Sequence, residues 1–328
     1  MDRYNPPFKT TEEITCLVAE ICELVGRINV IHGDSINPHL RRENRIRTIH
    51  SSLAIENNTL TLDQVTDIID GKRVLGNPNE IKEVKNAYAA YELMLQLDPE
   101  SFEDLLKAHK LMMKGLVNDN GKVRSEEVGI YAGDVLVHMA PPAKYVHGQI
   151  KDLFEWYSQS ELHPLIKSAV FHYEFEFIHP FMDGNGRTGR MWHSLLLGQW
   201  RDVFLWLPIE ELIQSRQQEY YDALGKADRS GNSTEFVKLM LEIIKDSLSE
   251  IEDNTDQVTD QVTDQVKKLI QVLGNEMVSA SELMRRLGLS HRATFRENYL
   301  NPALEAGLIE RTVPDKPNSR NQKYKRKT

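Results

Sequence analysis

The stretch from His179 to Arg190, reading HPFMDGNGRTGR, constrains this chain more than any other. An apolar, aromatic segment (165–178) leads into it and a second one (191–200) leads out. Each is long enough for a helix, so the twelve residues between them form a bend that opens into a helix start. Gly184, Gly186 and Gly189 let the backbone take positive φ and turn its N–H groups toward one spot. Those amides, with the partial positive charge of the following helix N-terminus, make a place for an anion. Arg187 and Arg190, three apart, share a side of that helix and aim guanidinium groups at the same place. Asp183 offers a hard oxygen suited to Mg²⁺, and His179 a base that titrates near neutrality. Anion nest, arginine pair, carboxylate and imidazole together describe a nucleotide-phosphate transfer site.

Blander readings of the same residues fail on spacing. A calcium loop counted from Asp183 needs glycine at its sixth position and glutamate at its twelfth, where this chain has Thr188 and Ser194. A Walker A loop needs Gly-Lys-Ser/Thr after four variable residues, and none follows. A plain Asp-Gly turn does not account for the arginines and the imidazole.

The stretch resembles the Fic family motif HxFx(D/E)GNGRxxR at every fixed position. Upstream, Ser52-Leu53-Ala54-Ile55-Glu56-Asn57 is similar to that family's inhibitory motif, (S/T)xxxE(G/N). The resemblance covers roughly residues 1–250. It implies a mostly α fold: a helical Fic bundle with a short β-hairpin flap. It also implies a protein adenylyltransferase moving AMP from ATP, with Mg²⁺, onto a hydroxyl of a target protein or of the chain itself. In that scheme His179 takes the hydroxyl proton and Asp183 holds Mg²⁺. Asn185 and the amides of Gly184 and Gly186 hold phosphate oxygens, and Arg187 and Arg190 grip the β- and γ-phosphates. Ser52 and Glu56, four apart on one helical face, would carry autoinhibition through pairing of Glu56 with Arg190. The family flap falls on 129–142, with Val137, His138 and Met139 at the entrance for the acceptor segment. Tyr220 and Tyr221 read either as adenine contacts, on the resemblance, or as half-buried packing. Another donor nucleotide, or removal of AMP, would use the same fold; the alternative outside enzymes is a DNA-binding regulator whose Fic domain senses nucleotide without turnover.

Along the chain, Thr10 and Glu13 suggest a capping box before a helix over 14–31. Further helices are expected at 40–57, 62–70, 79–97, 102–117, 144–158, 164–178, 209–227 and 233–251, with Ser101 capping the one at 102–117. The aromatic set before the bend (Phe171, Tyr173, Phe175, Phe177) reads as core. Phe181 reads as a buried anchor for the bend. Residues 1–100 form an N-terminal region holding the inhibitory helix, and 101–252 the catalytic core. TDQV repeats three times over 255–266; a four-residue period drifts around a helix, so 253–266 reads as a linker. Residues 267–328 look like a small winged helix-turn-helix, with helices near 266–273, 281–287 and 291–304 and a two-stranded wing. Ser279 or Ser281 would cap the second of these helices. Arg292 and Arg296 on the third would contact DNA phosphates, unless the module docks protein instead.

Charge supports that division. From residue 267 onward there are 13 Lys/Arg against 6 Asp/Glu, while the preceding chain has 27 against 43 within an overall net charge of −9. That balance argues against wholesale nucleic-acid binding and leaves it to the basic end. No apolar run approaches 20 residues and the N-terminus lacks an apolar signal core, so no membrane partner is expected. Cys16 and Cys22 lie six apart in one expected helix and point different ways, which suggests free thiols and a cytoplasmic location.

Overall fold

The computed structural model describes residues 4–32, 38–132, 135–260, 264–274, 276–289, 291–305, 307–314, 319 and 322–327. Within these, the side chains of 29–32, 38–39, 130–132, 135–138, 253–260, 264, 267 and 305 lie outside the description. Contacts divide the chain into residues 1–250 and 251–328.

The first unit is helical, with one hairpin. In order it holds α1 (Glu12–His32), α2 (Pro38–Ile55), α3 (Leu62–Ile69), α4 (Pro78–Met94) and α5 (Phe102–Met112), then β1 (Gly129–Ala132) and β2 (Val135–Met139). After these come α6 (Ala143–Gln159), α7 (Pro164–Ile178), α8 (Asn185–Trp200), a 3₁₀ turn (Asp202–Leu205), α9 (Ile209–Ser215), α10 (Gln217–Ser230) and α11 (Thr234–Asp260), whose residues from 251 onward are counted with the second unit. Helix starts follow local chemistry. Ser101 Oγ accepts from the Asp104 N–H at 3.1 Å, Thr61 and Gln64 form a full capping box, and Pro78 and Pro164 occupy first-turn positions. At α1 the capping hydroxyl is Thr11, accepting from Ile14 N at 3.2 Å, one residue later than Thr10. The span expected as one helix over 209–227 is split at Arg216 (φ −108°, ψ 30°), whose guanidinium reaches Glu219 and Glu242.

Helices α7 and α8 make the centre of this unit. Twelve of fifteen residues in α7 and thirteen of sixteen in α8 are buried, including polar ones, so both are wrapped on all sides. Phe171 meets Phe154 edge-on (5.2 Å, 86°) and Tyr157 (5.6 Å, 81°), which places that aromatic set in the core. The two helices close on each other at Gly189, where a Cβ would collide with Glu176 Oε1 and the Phe175 ring. Strands β1 and β2 pair antiparallel, Gly129 opposite Met139, with a bulge between Ile130 and Tyr131.

The second unit carries α12 (Asp264–Leu273), β3 (Val278–Ser279), α13 (Ala280–Arg286), α14 (Arg292–Phe295), a π-turn (Arg296–Leu300), α15 (Asn301–Glu305), β4 (Ile309–Arg311) and β5 (Lys323–Arg326). Its sheet has three antiparallel strands in the order β3-β5-β4, one more than the expected two-stranded wing, because Val278 pairs with Tyr324. Leu269, Leu273, Leu283, Phe295, Leu300, Ile309 and Tyr324 form its core. The widened turn precedes Pro302, which has no N–H to give a carbonyl four residues back. Ser279, not Ser281, caps α13 through Glu282 N at 3.3 Å. The TDQV repeat is helical as far as Asp260, within α11; residues 261–263 lie outside the description. No described helix is long and apolar enough to cross a membrane.

Candidate active site

His179 ends α7 in the left-handed region (φ 50°, ψ 62°), its N–H bonded to Phe175 O at 3.0 Å. Such a conformation costs a β-carbon-bearing residue about 1–2 kcal/mol and needs support. Arg124 supplies it: Nε donates to His179 O at 2.7 Å, and the Arg124 N–H donates to Pro180 O at 2.9 Å. The imidazole Nδ1 lies 3.3 Å from Glu176 O. A carbonyl only accepts, so the ring donates from Nδ1 and its neutral form keeps Nε2 as the basic nitrogen.

The bend is closed on itself before any ligand arrives. Phe181 N–H donates to Asn185 Oδ1 and Asn185 Nδ2 to Phe181 O, both at 2.9 Å. The Asn185 carboxamide thus holds the loop instead of reaching out toward phosphate. Phe181 is fully buried as an anchor and stacks flat on His109 (3.6 Å, 4°). His109 accepts from Gly121 N–H at Nδ1 (2.8 Å) and donates from Nε2 to Asp183 O (2.9 Å). Burial pushes its pKa down to about 4, so it is a neutral two-ended strut. Gly184 is left-handed (φ 82°), and a Cβ there would lie 2.5 Å from Met113 Sδ. No side chain caps α8, whose first-turn amides face the site.

The charged groups converge on that helix start. Asp183 Oδ1 accepts from Gly184 N–H (2.6 Å) and Arg187 Nη2 (3.0 Å), with its side chain 54% exposed. Arg187 also donates to Glu83 Oε1 at 3.1 Å, and Glu83 Oε2 accepts from Asn58 just beyond α2. Arg190 donates to Ser52 Oγ (3.2 Å), Ser52 O (2.9 Å) and Glu56 Oε1 (2.9 Å). The Glu56 carboxylate lies over the first turn of α8: a Cβ on Gly186 would be 2.5 Å from its Oε1. Burial opposes its charge, but Arg190, then Arg187, outweigh burial and hold its pKa below the usual carboxylate range. Gln217 Nε2 donates to Ile55 O at 3.1 Å, pinning the end of α2 from α10.

The structure therefore gathers Ser52, Glu56, His179, Asp183, Gly184, Gly186, Arg187 and Arg190 in one place. The two tyrosines part company. Tyr220 is 1% exposed with its hydroxyl hydrogen-bonded to His172 Nε2 at 2.9 Å, so it cannot present a ring face to a base. Tyr221 is 44% exposed and within electrostatic reach of Glu56 and Arg190. On the hairpin Met139 is exposed, while the side chains of Val137 and His138 lie outside the described residues. Arg292 and Arg296 belong to the second unit, exposed beside a cavity of about 490 Å³ shared with Ser281 and Gln322. Sequence reasoning missed Glu83, His109 and Arg124, because each acts through backbone groups or a distant partner and none sits in a local pattern.

Family models match twice: the Fic/DOC family over residues 99–197, and the C-terminal domain of filamentation induced by cAMP protein Fic-like over 264–326. The solved structure of a Fic family protein from Desulfovibrio desulfuricans G20 is 52% identical, with 99% of this chain and 98% of that one covered and a TM-score of 0.75. Fic-1 (residues 134–508) from C. elegans shares the fold at 24% identity and TM-score 0.58, with 74% and 76% covered. Among curated relatives, protein adenylyltransferase fic-1 of Caenorhabditis elegans is 27% identical over 65% of this chain and 42% of its own length. Protein adenylyltransferase Fic of Nematostella vectensis is 28% identical over 61% and 47%. The chain thus spans less than half the length of these two curated relatives.

Proposed function

Because the chain belongs to the Fic family, we propose that it is a protein adenylyltransferase held inactive by Glu56. One observation carries this reading: an anionic carboxylate is already seated on the α8 N-terminus against Arg190, where a nucleotide phosphate would be bound. In the reaction a Ser, Thr or Tyr hydroxyl oxygen of a target, or of the chain itself, attacks the α-phosphorus of ATP. The bond from that phosphorus to the bridging oxygen breaks, pyrophosphate leaves, and the hydroxyl proton passes to His179 Nε2. Arg187 and Arg190 hold the outer phosphates, and the amide of Gly186 binds an oxygen at the helix start, the Gly184 N–H being already held by Asp183 Oδ1. Tyr221 is the accessible ring beside the base.

Among the described residues no cluster of three or more side chains forms a metal cage. Mg²⁺ bound to nucleotide takes one or two carboxylates and completes its shell with phosphates and water. The half-exposed Asp183 fits that requirement as the one protein ligand. When bound there, the ion would offset charge on the departing pyrophosphate.

Glu56 lets ATP approach but withholds Arg190, so the phosphates lie out of line. Labelled ATP tests this: Glu56→Gly should transfer AMP to the chain or a partner, and adding His179→Ala should abolish transfer. Equal labelling of wild type and Glu56→Gly would remove the switch. For the second unit, the exposed Arg292 and Arg296, four apart beside that cavity, support nucleic-acid contact. A gel shift with the full chain at stated salt, lost in Arg292→Ala/Arg296→Ala, tests it.

A further inference from the structure

We infer that Arg124 is a positioning residue that fixes the catalytic imidazole relative to the hairpin beside it. This rests on the transferase reading above and deepens it. Arg124 is 3% exposed, and its guanidinium donates to four carbonyl oxygens. Nε reaches His179 at 2.7 Å, Nη2 reaches Ile178 at 3.3 Å and Pro141 at 2.5 Å, and Nη1 reaches Glu126 at 2.9 Å. Its own N–H adds Pro180 at 2.9 Å.

These acceptors fall into two sets. Ile178, His179 and Pro180 are the end of α7 and the start of the bend. Glu126 and Pro141 flank the hairpin, one before β1 and one after β2. A cation needed only to cap the C-terminus of α7 has no reason to reach the hairpin. A residue needed only to close the hairpin has no reason to hold His179. The planar fork of one arginine does both, and its fixed donor geometry makes it a ruler between them. His179 is held in a left-handed conformation at the same point, so its imidazole direction depends on that carbonyl staying in place. An acceptor segment laid on the hairpin would then meet the base at a distance set by Arg124.

The test uses the full chain carrying Glu56→Gly, with self-labelling from radioactive ATP as the readout. Adding Arg124→Ala should lower kcat about 100-fold, the scale of an ångström-sized misplacement. KM for ATP should stay within about threefold, because the phosphate site is untouched. Methylguanidine in the buffer should recover part of the rate. Arg124→Lys, which keeps the charge but loses the fork, should show the same split between kcat and KM and serves if the alanine variant does not fold. Unchanged transfer in either variant would overturn the inference. So would kcat and KM worsening together without rescue, the mark of a merely structural role. An inactive Glu56→Gly parent, by contrast, would fail the transferase reading itself, before Arg124 is tested.

Discussion

Replacing Glu56 by glutamine removes a charge and almost no volume, so it isolates the electrostatics of the closed site. The ion pair with Arg190 spans 2.9 Å. At an effective dielectric constant of about 20, two unit charges at that distance attract by about 6 kcal/mol. Desolvation cancels much of this, because Arg190 is 2% exposed and Glu56 is largely covered. Outright removal of the partner, as in Glu56→Gly, leaves a buried guanidinium uncompensated, which typically costs about 3–5 kcal/mol. Glutamine still offers an oxygen to Arg190, so the cost to the apo protein should be smaller, about 1–3 kcal/mol. A triphosphate restores the missing negative charge, so nucleotide should stabilise the variant more than the wild type. If about 1.4–2.8 kcal/mol of the pair's net value resists phosphate entry, affinity rises about 10- to 100-fold. Titration with a fluorescent ATP analogue, beside melting curves with and without ATP, reads both quantities. Acidity should mimic the substitution. The folded pKa of Glu56 is depressed, so the pair's contribution is present above the ordinary carboxyl pKa and is lost as pH falls through the folded value. Equal nucleotide affinity and equal melting shifts in wild type and Glu56→Gln would refute the reasoning.

His179→Ala in the Glu56→Gly background should lower transfer at least 10²- to 10⁴-fold, the usual worth of a general base, with nucleotide affinity unchanged by titration. Gly184→Ala should cost at least about 1–2 kcal/mol in denaturant unfolding, since the position is left-handed and the added carbon meets Met113. Glu174 should give the fold a slope at neutral pH. Burial raises its pKa to about 7 while Tyr4 donates to it at 2.5 Å. A raised carboxyl pKa adds stability at low pH that is lost between about pH 4.5 and 7, so Tm should fall across that window and fall less in Glu174→Gln. Loss of the His109 strut in His109→Ala should lower stability by about 3 kcal/mol or more and reduce transfer, read by unfolding and by labelling in the Glu56→Gly background.

The bend at 179–190 was legible because its residues are local: imidazole, carboxylate, glycines and arginines fall within one turn of chain and the helix it starts. Glu56 was legible only through a family resemblance, since 134 positions separate it from Arg190 and nothing in its own helix distinguishes it from a solvated glutamate. Glu83 is hidden in the same way, 104 positions from Arg187. His109 and Arg124 were invisible for another reason: they bond main-chain carbonyls and amides, which every residue carries, so no pairing of side-chain types announces them. Tyr220 and Tyr221 are neighbours with the same composition around them. Only the packing of α10 against His172 and Phe236 decides which is enclosed. The break at Arg216 and the extra strand at Val278 depend likewise on partners far along the chain.

The mutual grip of Phe181 and Asn185 has a kinetic consequence. A loop that must organise itself around its ligand loses chain entropy at each binding event, and association slows as productive arrivals become rare. This bend is organised in advance, so an arriving triphosphate meets a finished surface. What remains is the departure of a single side chain, and the rate at which Glu56 lifts from Arg190 should set how soon a bound triphosphate falls into line for transfer.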